Sequence, residues 1–294
     1  MDNRASEAGA GWPARLARAQ SALCCPQCRS PLAFSPAGAR CGACPADYSL
    51  RNGRLYFAAP PPAADELDKL KATLKRRLGA LYYSVGVKWL GPTFPFDFGK
   101  AVRRHSDPAK QLVVDLGSGN SRVDPDIVCV DAVDYDAVDI VCDLGRLPFR
   151  DGSVDAFVSR SAIEHLPDPA AVVSGLERCT RSGGVGVHLI PFLYPFHASP
   201  DDYQRFTHAG AAALFAGWDL LEQRNASGPA TLAVLVLVEF FSALLSFGNE
   251  RARAALNLLL CLCFFPLKFL DAPFVGRRSM LALAPTILTV VRKP

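Results

Sequence analysis

The chain has 294 residues, enough for one large domain and a small one. Its formal net charge of +4 is too mild to mark a nucleic-acid binder by itself, and ten cysteines behind an N-terminus with no apolar leader argue against a disulfide-stapled secreted protein. The hydrophobic fraction of 50% is high for a soluble enzyme and asks for a local cause.

Residues 1–20 are rich in Ala, Gly and charge and are expected to be a disordered tail, with a short basic helix from Pro13 to Ala22 as the alternative. A small metal-built segment is expected over 21–58. Cys25-Pro26-Gln27-Cys28 and Cys41-Gly42-Ala43-Cys44 are two Cys-x-x-Cys knuckles separated by twelve residues. Such a pair folds over itself into a tetrahedral four-sulfur site, and Zn2+ is the ion that favours it. So short a segment cannot bury enough core to fold alone, so the metal would supply folding energy. Cys24 is read as a bystander. Tyr48 to Phe57 reads as a hairpin with Asn52-Gly53 at the turn.

The proline-rich stretch 59–64 is a stiff linker. Beyond it Leu67, Leu70, Leu74, Leu78 and Leu81 recur at helical spacing among Lys69, Lys71, Lys75, Arg76 and Arg77. That helix is a solvated basic face, or a footprint for an anionic membrane or RNA. Gly91 to Phe98 is expected to be a loop against the core.

The rest of the chain is organised around Val113-Val114-Asp115-Leu116-Gly117-Ser118-Gly119-Asn120. An apolar run ends in an acid and a Gly-x-Gly turn follows at once, as when a buried parallel strand delivers its C-terminal end to a ligand. Ile127 to Asp131 is a second apolar run closed by an acid, Val138 to Asp143 a third, and Val154 to Ser159 a fourth. Successive strand ends line one edge of a parallel sheet, where ligands bind. Only Ser121 to Asp126 separate the first turn from the second strand, too few for more than one helical turn. The third glycine of the dinucleotide fingerprint is missing, with Asn120 close to its place. Both facts argue against a nicotinamide-binding domain, which needs a helix N-terminus for a pyrophosphate.

This series resembles the class I S-adenosylmethionine-dependent methyltransferases. The residues that carry the resemblance are the Asp115–Asn120 turn, Asp131, Asp143 through Leu147-Pro148-Phe149, and Ser161-Ala162-Ile163-Glu164-His165-Leu166-Pro167-Asp168-Pro169. The cysteine segment resembles the zinc ribbon that accompanies several methyltransferases. The resemblance implies an α/β fold with a seven-stranded sheet in the order 3-2-1-4-5-7-6 over residues 65–294. It implies that Asp115, Gly117, Ser118, Gly119 and Asn120 surround the methionine part of S-adenosylmethionine. Asp131 would bind the ribose hydroxyls, and Asp143 with Leu144 would meet the adenine.

A helix is expected from Asp168-Pro169 to about Arg181, then a fifth strand over Val185 to Ile190. Pro191 to Thr207 is a long irregular segment dense in His, Asp, Tyr and Arg at the active edge, suited to a substrate pocket. His197 is the first choice of general base and His165 the second, because an imidazole takes a proton near neutral pH. His188, inside a strand, reads as a packing residue.

A sixth strand is expected over Trp218 to Ala226 and a last one over Pro285 to Val291. Between them Ala230 to Phe247 and Ala254 to Leu270 are two mostly apolar runs, an expected insertion over 229–273. Each could just span a bilayer. Strands on both sides return to the sheet, and Arg251 and Arg253 at the turn oppose translocation. A pair lying in the membrane interface or against a partner fits better, with burial in the domain's own core as the alternative.

The sequence therefore leads to a cytoplasmic, peripherally membrane-associated methyltransferase acting on a small-molecule or lipid-linked acceptor. An RNA base methyltransferase and a non-catalytic binding scaffold stand as alternatives.

Overall fold

The structure is a computed structural model that describes residues 12–60, 86, 89–197 and 201–294. The basic helix expected over Leu67 to Leu81, most of the linker, and residues 1–11 of the expected tail lie outside the described residues.

The strands in chain order are β1 (Leu32–Ser35), β2 (Gly38–Cys41), β3 (Asp47–Arg51), β4 (Arg54–Tyr56), β5 (Val113–Leu116), β6 (Val128–Asp131), β7 (Ile140–Val141), β8 (Val154–Arg160), β9 (Thr180–Pro191), β10 (Asp219–Asn225) and β11 (Thr286–Arg292). They form one eleven-stranded sheet in the order β1-β2-β3-β4-β7-β6-β5-β8-β9-β11-β10. The expectation of seven strands is therefore corrected. The cysteine segment adds four, because β4 pairs in parallel with β7 through Leu55 and Ile140 instead of closing a separate ribbon. Strands β7, β6, β5, β8 and β9 are parallel, and β11 is antiparallel to both β9 and β10. The central strands β5 and β6 are buried at every position. That is why they read as unbroken apolar runs ending in an acid.

Two apolar layers cover the sheet. On one, helix α1 (Ala14–Ala19), the cysteine segment and helix α3 (Pro169–Cys179) pack with Val114, Val130 and Phe157. On the other, helix α2 (Phe98–His105) packs with Val113, Ile127 and Val158. Helix α1 lies inside the stretch expected as a disordered tail. Leu16 and Ala19 are fully buried, and Arg18 donates to the carbonyls of Pro108 and Gln111. The basic-helix alternative describes this part of the chain.

Side-chain caps start several of the helices. Asp97 accepts from Lys100 N, Asp168 from Ala171 N, and Thr207 from Gly210 N at the start of α4 (His208–Leu214). In the β3–β4 hairpin Asn52 and Gly53 both have positive φ, as a two-residue turn of matching twist requires. The β5–β6 crossover has no helix. Arg122 braces it, pairing with the buried carboxylate of Asp139 and donating to the carbonyls of Ile127 and Ala137.

The insertion forms two antiparallel helices, α5 (Pro229–Ser246) and α6 (Glu250–Phe264), followed by a 3-10 segment, Phe265–Asp271. The pair is tied along its length by Glu239, which accepts from Arg253 at 3.2 Å and Asn257 at 3.0 Å. Their base is locked into the fold. The fully buried carboxylate of Asp271 accepts from the N–H groups of Gly228, Ala230 and Thr231, capping α5 from 40 residues or more away in sequence. Above that base the pair turns apolar side chains outward. Val236, Phe240, Leu244, Leu259 and Leu262 are exposed, and α6 buries none of its residues.

Candidate functional site

The C-terminal ends of β5, β6 and β8 converge on the glycine turn. Asp115, the last acid of β5, is 2% exposed, and its Oδ1 has no hydrogen-bond partner. Burial pushes its carboxyl up to about 7, against a smaller opposing pull from Arg160. A buried, unpaired carboxylate oxygen calls for a cationic or donor ligand.

The turn itself is shaped by two glycines. Gly117 has φ +64°, and a Cβ there would stand 2.6 Å from the Cβ of Ala162, with Leu144 Cδ1 at 4.0 Å. Gly119 has φ +58°, and nothing lies within 4 Å of where its Cβ would be. The first glycine thus permits close contact between the turn and the segment after β8. The second leaves open room at the strand ends.

Asp131, at the end of β6, holds that turn. Its Oδ2 accepts from Gly119 N at 2.8 Å and its Oδ1 from Val133 N at 2.9 Å. Burial raises its carboxyl, and these backbone donors pull it back. Each oxygen keeps a lone pair for a further donor. Ser118 is buried beside it. Asp143, after β7, is exposed and accepts from Gly145 N at 2.8 Å, which starts the turn Leu144–Arg146. The structure therefore brings Asp115, Gly117, Ser118, Gly119, Asn120 and Asp131 to one edge, with Leu144 beside Gly117.

Both predicted histidines lie on the β8 and β9 loops and meet. Their rings stand nearly perpendicular with centroids 5.0 Å apart. Between them is Glu164, to which sequence alone assigns no role. It is 0% exposed and neither carboxylate oxygen has a hydrogen-bond partner. Its Oε1 lies 3.4 Å from His197 Nε2 and 3.8 Å from His165 Nε2. Asp202 and Arg205, also unassigned from sequence, pair with each other beneath His197. The signal for Glu164 was its place beside His165 at a strand end, but burial cannot be read from that. His188 is a packing residue: it stacks on Phe215 with centroids 4.6 Å apart, its Nδ1 is 2.9 Å from Ser159 Oγ, and burial pushes it down to about 3.

The four cysteines come together. Sγ–Sγ separations are 3.4 Å for Cys28–Cys41, 3.6 Å for Cys28–Cys44 and 3.7 Å for Cys25–Cys44. Four thiolates at about 2.3 Å from one ion stand ~3.8 Å apart at the corners of a tetrahedron, so the set fits Zn2+. Tyr48 Oη supports it from 3.1 Å to Cys25 Sγ. Cys24 is buried and outside the cluster. An open cleft beside the cysteine strands, lined by Arg51, Tyr56 and Asp134 among others, shares no residue with the glycine turn.

An open α/β sheet with a glycine turn after β5 and an acid at the end of β6 is the arrangement expected from the resemblance to the S-adenosylmethionine-dependent methyltransferases. Residues 114–187 match the family described as "Methyltransferase domain". An uncharacterized methyltransferase from Mycobacterium sp. (strain JLS) is 49% identical over 41 residues, which are 14% of this chain and 16% of that protein. The chain thus matches only about a sixth of that relative's length. Among solved structures, a complex containing the Haloferax volcanii Trm112 methyltransferase activator is similar at 19% identity and TM-score 0.42, over 79% of this chain and 99% of that one. Phosphoethanolamine N-methyltransferase 2 of Haemonchus contortus, solved with S-adenosyl-L-methionine, is similar at 16% identity and TM-score 0.43, over 80% of this chain and 61% of that one.

Proposed function

We propose that this protein transfers a methyl group from S-adenosylmethionine to an oxygen or nitrogen nucleophile of a small or lipid-linked acceptor at a membrane surface. The observation that carries the reading is the bond from Gly119 N to Asp131 Oδ2. It joins the glycine turn and the second-strand acid into one unit within the matched domain. S-adenosylmethionine, when bound, supplies the methyl group on a sulfonium sulfur. The residues that would hold it are Asp115 through Asn120 at its methionine part, Asp131 at the ribose hydroxyls, and Asp143 with Leu144 at the adenine. The unpaired Oδ1 of Asp115 suits the ligand's ammonium group. Holding two reactants in line is the main task of such an enzyme.

The acceptor would lie against the loops after β8 and β9. His197, and second His165, bring its nucleophile to deprotonation. Both histidines are partly open to solvent while the carboxylate behind them is sealed.

The apolar face of α5 and α6 supports a peripheral place on a cytoplasmic membrane surface. Burying each large side chain there would contribute roughly 1.5–3 kcal/mol. Outward-facing phenylalanines and leucines on a soluble surface call for lipid or a partner. The mild net charge gives the RNA reading less support.

The test is to incubate the protein with labelled S-adenosylmethionine and separate lipid, small-molecule, protein and RNA fractions of a cell extract. Label in the lipid or small-molecule fraction supports the reading. Label confined to RNA favours the alternative.

A further inference from the structure

Among the described residues, a carboxylate oxygen of Glu164 and the Nε2 atoms of His165 and His197 face one another. His165 Nδ1 lies 2.5 Å from the carbonyl oxygen of Asp201, and His197 Nδ1 lies 3.2 Å from that of Pro195. A carbonyl oxygen only accepts, so each Nδ1 carries a proton, and in the neutral imidazole each Nε2 is left with a lone pair. Arg205 Nη2 stands 3.3 Å from His197 Nδ1, but its two hydrogens are already used by Pro195 O and Asp202. Both Nε2 atoms face Glu164 Oε1, at 3.4 and 3.8 Å. That carboxylate is fully buried with no hydrogen bond to either oxygen.

Neutral imidazole nitrogens aimed at a buried carboxylate repel it unless a cation lies between them. We propose that Glu164, His165 and His197 bind a divalent cation of the first transition series. Ligand atoms at about 2.1 Å from such an ion stand ~3.0–3.4 Å apart, and the nitrogen–oxygen distances here are within a few tenths of that. The ligand atoms of the three residues all lie within 4.8 Å of one another. The supporting shell is of the kind that metal-bound histidines use, with each second nitrogen fixed by a backbone carbonyl. His197 is a third exposed, which gives the ion an entry path and leaves positions open for an outside ligand. An acceptor oxygen placed there would lose its proton more easily. This catalytic meaning rests on the proposed function, while metal binding does not. In the loaded form His197 acts through the ion and does not take the proton on Nε2.

The test titrates cobalt(II) into the full chain with zinc already in the cysteine site, following visible absorption. One equivalent is expected, with ligand-field bands but no sulfur charge-transfer band. Glu164→Gln and His165→Ala should each abolish it while keeping the zinc content and circular dichroism of the parent. Cys28→Ser should leave these bands in place. No cobalt beyond the cysteine site, or an undiminished signal in both variants, would overturn the proposal. Calorimetry with S-adenosylmethionine on the same samples reports separately on the cofactor reading.

Discussion

The backbone N–H of Gly119 donates to Oδ2 of Asp131 across 2.8 Å, joining the turn after β5 to the end of β6. The crossover between those strands is too short for a helix, so no helix N-terminus organises the turn. The side chain of Asp131 does so in its place. Gly119 is thereby held at positive φ before any ligand arrives, which removes an ordering cost from binding.

Gly119→Val should fold and lose its ligand. Nothing lies within 4 Å of the added Cβ, so that atom meets no clash, and the left-handed backbone costs a β-branched residue at least about 1–2 kcal/mol. The side chain would fill the room at the strand ends. Thermal unfolding should show a modest loss, and calorimetry should show no heat with S-adenosylmethionine.

Asp115 gives the apo protein a pH dependence of known sign. Its folded carboxyl titrates at about 7, above the unfolded value of ~3.9. The native state therefore binds the extra proton, so this contribution is fully present below ~3.9 and is lost as pH rises through about 7. Asp115→Asn should flatten the unfolding profile over that window. Equal slopes in parent and variant would refute the assignment.

Purified protein should contain one zinc, released in Cys28→Ser or Cys41→Ser. Strands β1 to β4 are built around the cysteines, and β4 pairs with β7, so metal loss should also loosen the β4–β7 pairing. Hydrogen exchange would read this as faster exchange of the Phe57 N–H, which donates to Val141 O. Metal analysis finding no zinc in protein prepared without chelator would contradict the cysteine site.

The helix pair makes two separable predictions. Asp271→Ala removes the acceptor of three N–H groups and should destabilise the fold by at least roughly 1.5–3 kcal/mol. Replacing Phe240, Leu244, Leu259 and Leu262 by Ser should leave stability nearly unchanged, because all four are exposed. The parent should float with phospholipid vesicles and resist high salt, since apolar contacts are not screened. The four-Ser variant should not float. Equal flotation of both would place the contact elsewhere.

The parts of this structure legible in the sequence are those that one residue type or one period decides. Asn52-Gly53 could only be a tight turn, Asp168-Pro169 a helix start, and Val113 to Leu116 a strand buried on both faces. The acids at strand ends were visible because each closes an apolar run. Other features depend on partners far away in the chain. The pairing of Leu55 with Ile140, which merges the cysteine segment with the main sheet, leaves no local mark. Leu16 was read as part of a tail because one buried leucine among Ala and Arg gives no periodicity, yet it is 0% exposed. Asp271 lies inside the expected insertion with no local mark of its role, and it caps the first helix of that insertion. Glu164 stands beside His165 in the sequence, but only its complete burial makes it a candidate ligand.

The most direct test of the account is the affinity of S-adenosylmethionine for the parent protein and for Asp131→Ala, measured by titration calorimetry. The account predicts binding by the parent and a loss of roughly 1.5–3 kcal/mol in the variant, about ten- to a hundredfold, because ribose donors and the Gly119 N–H lose one charged acceptor together. Equal affinity in the two proteins, or no binding by a folded parent, would contradict it.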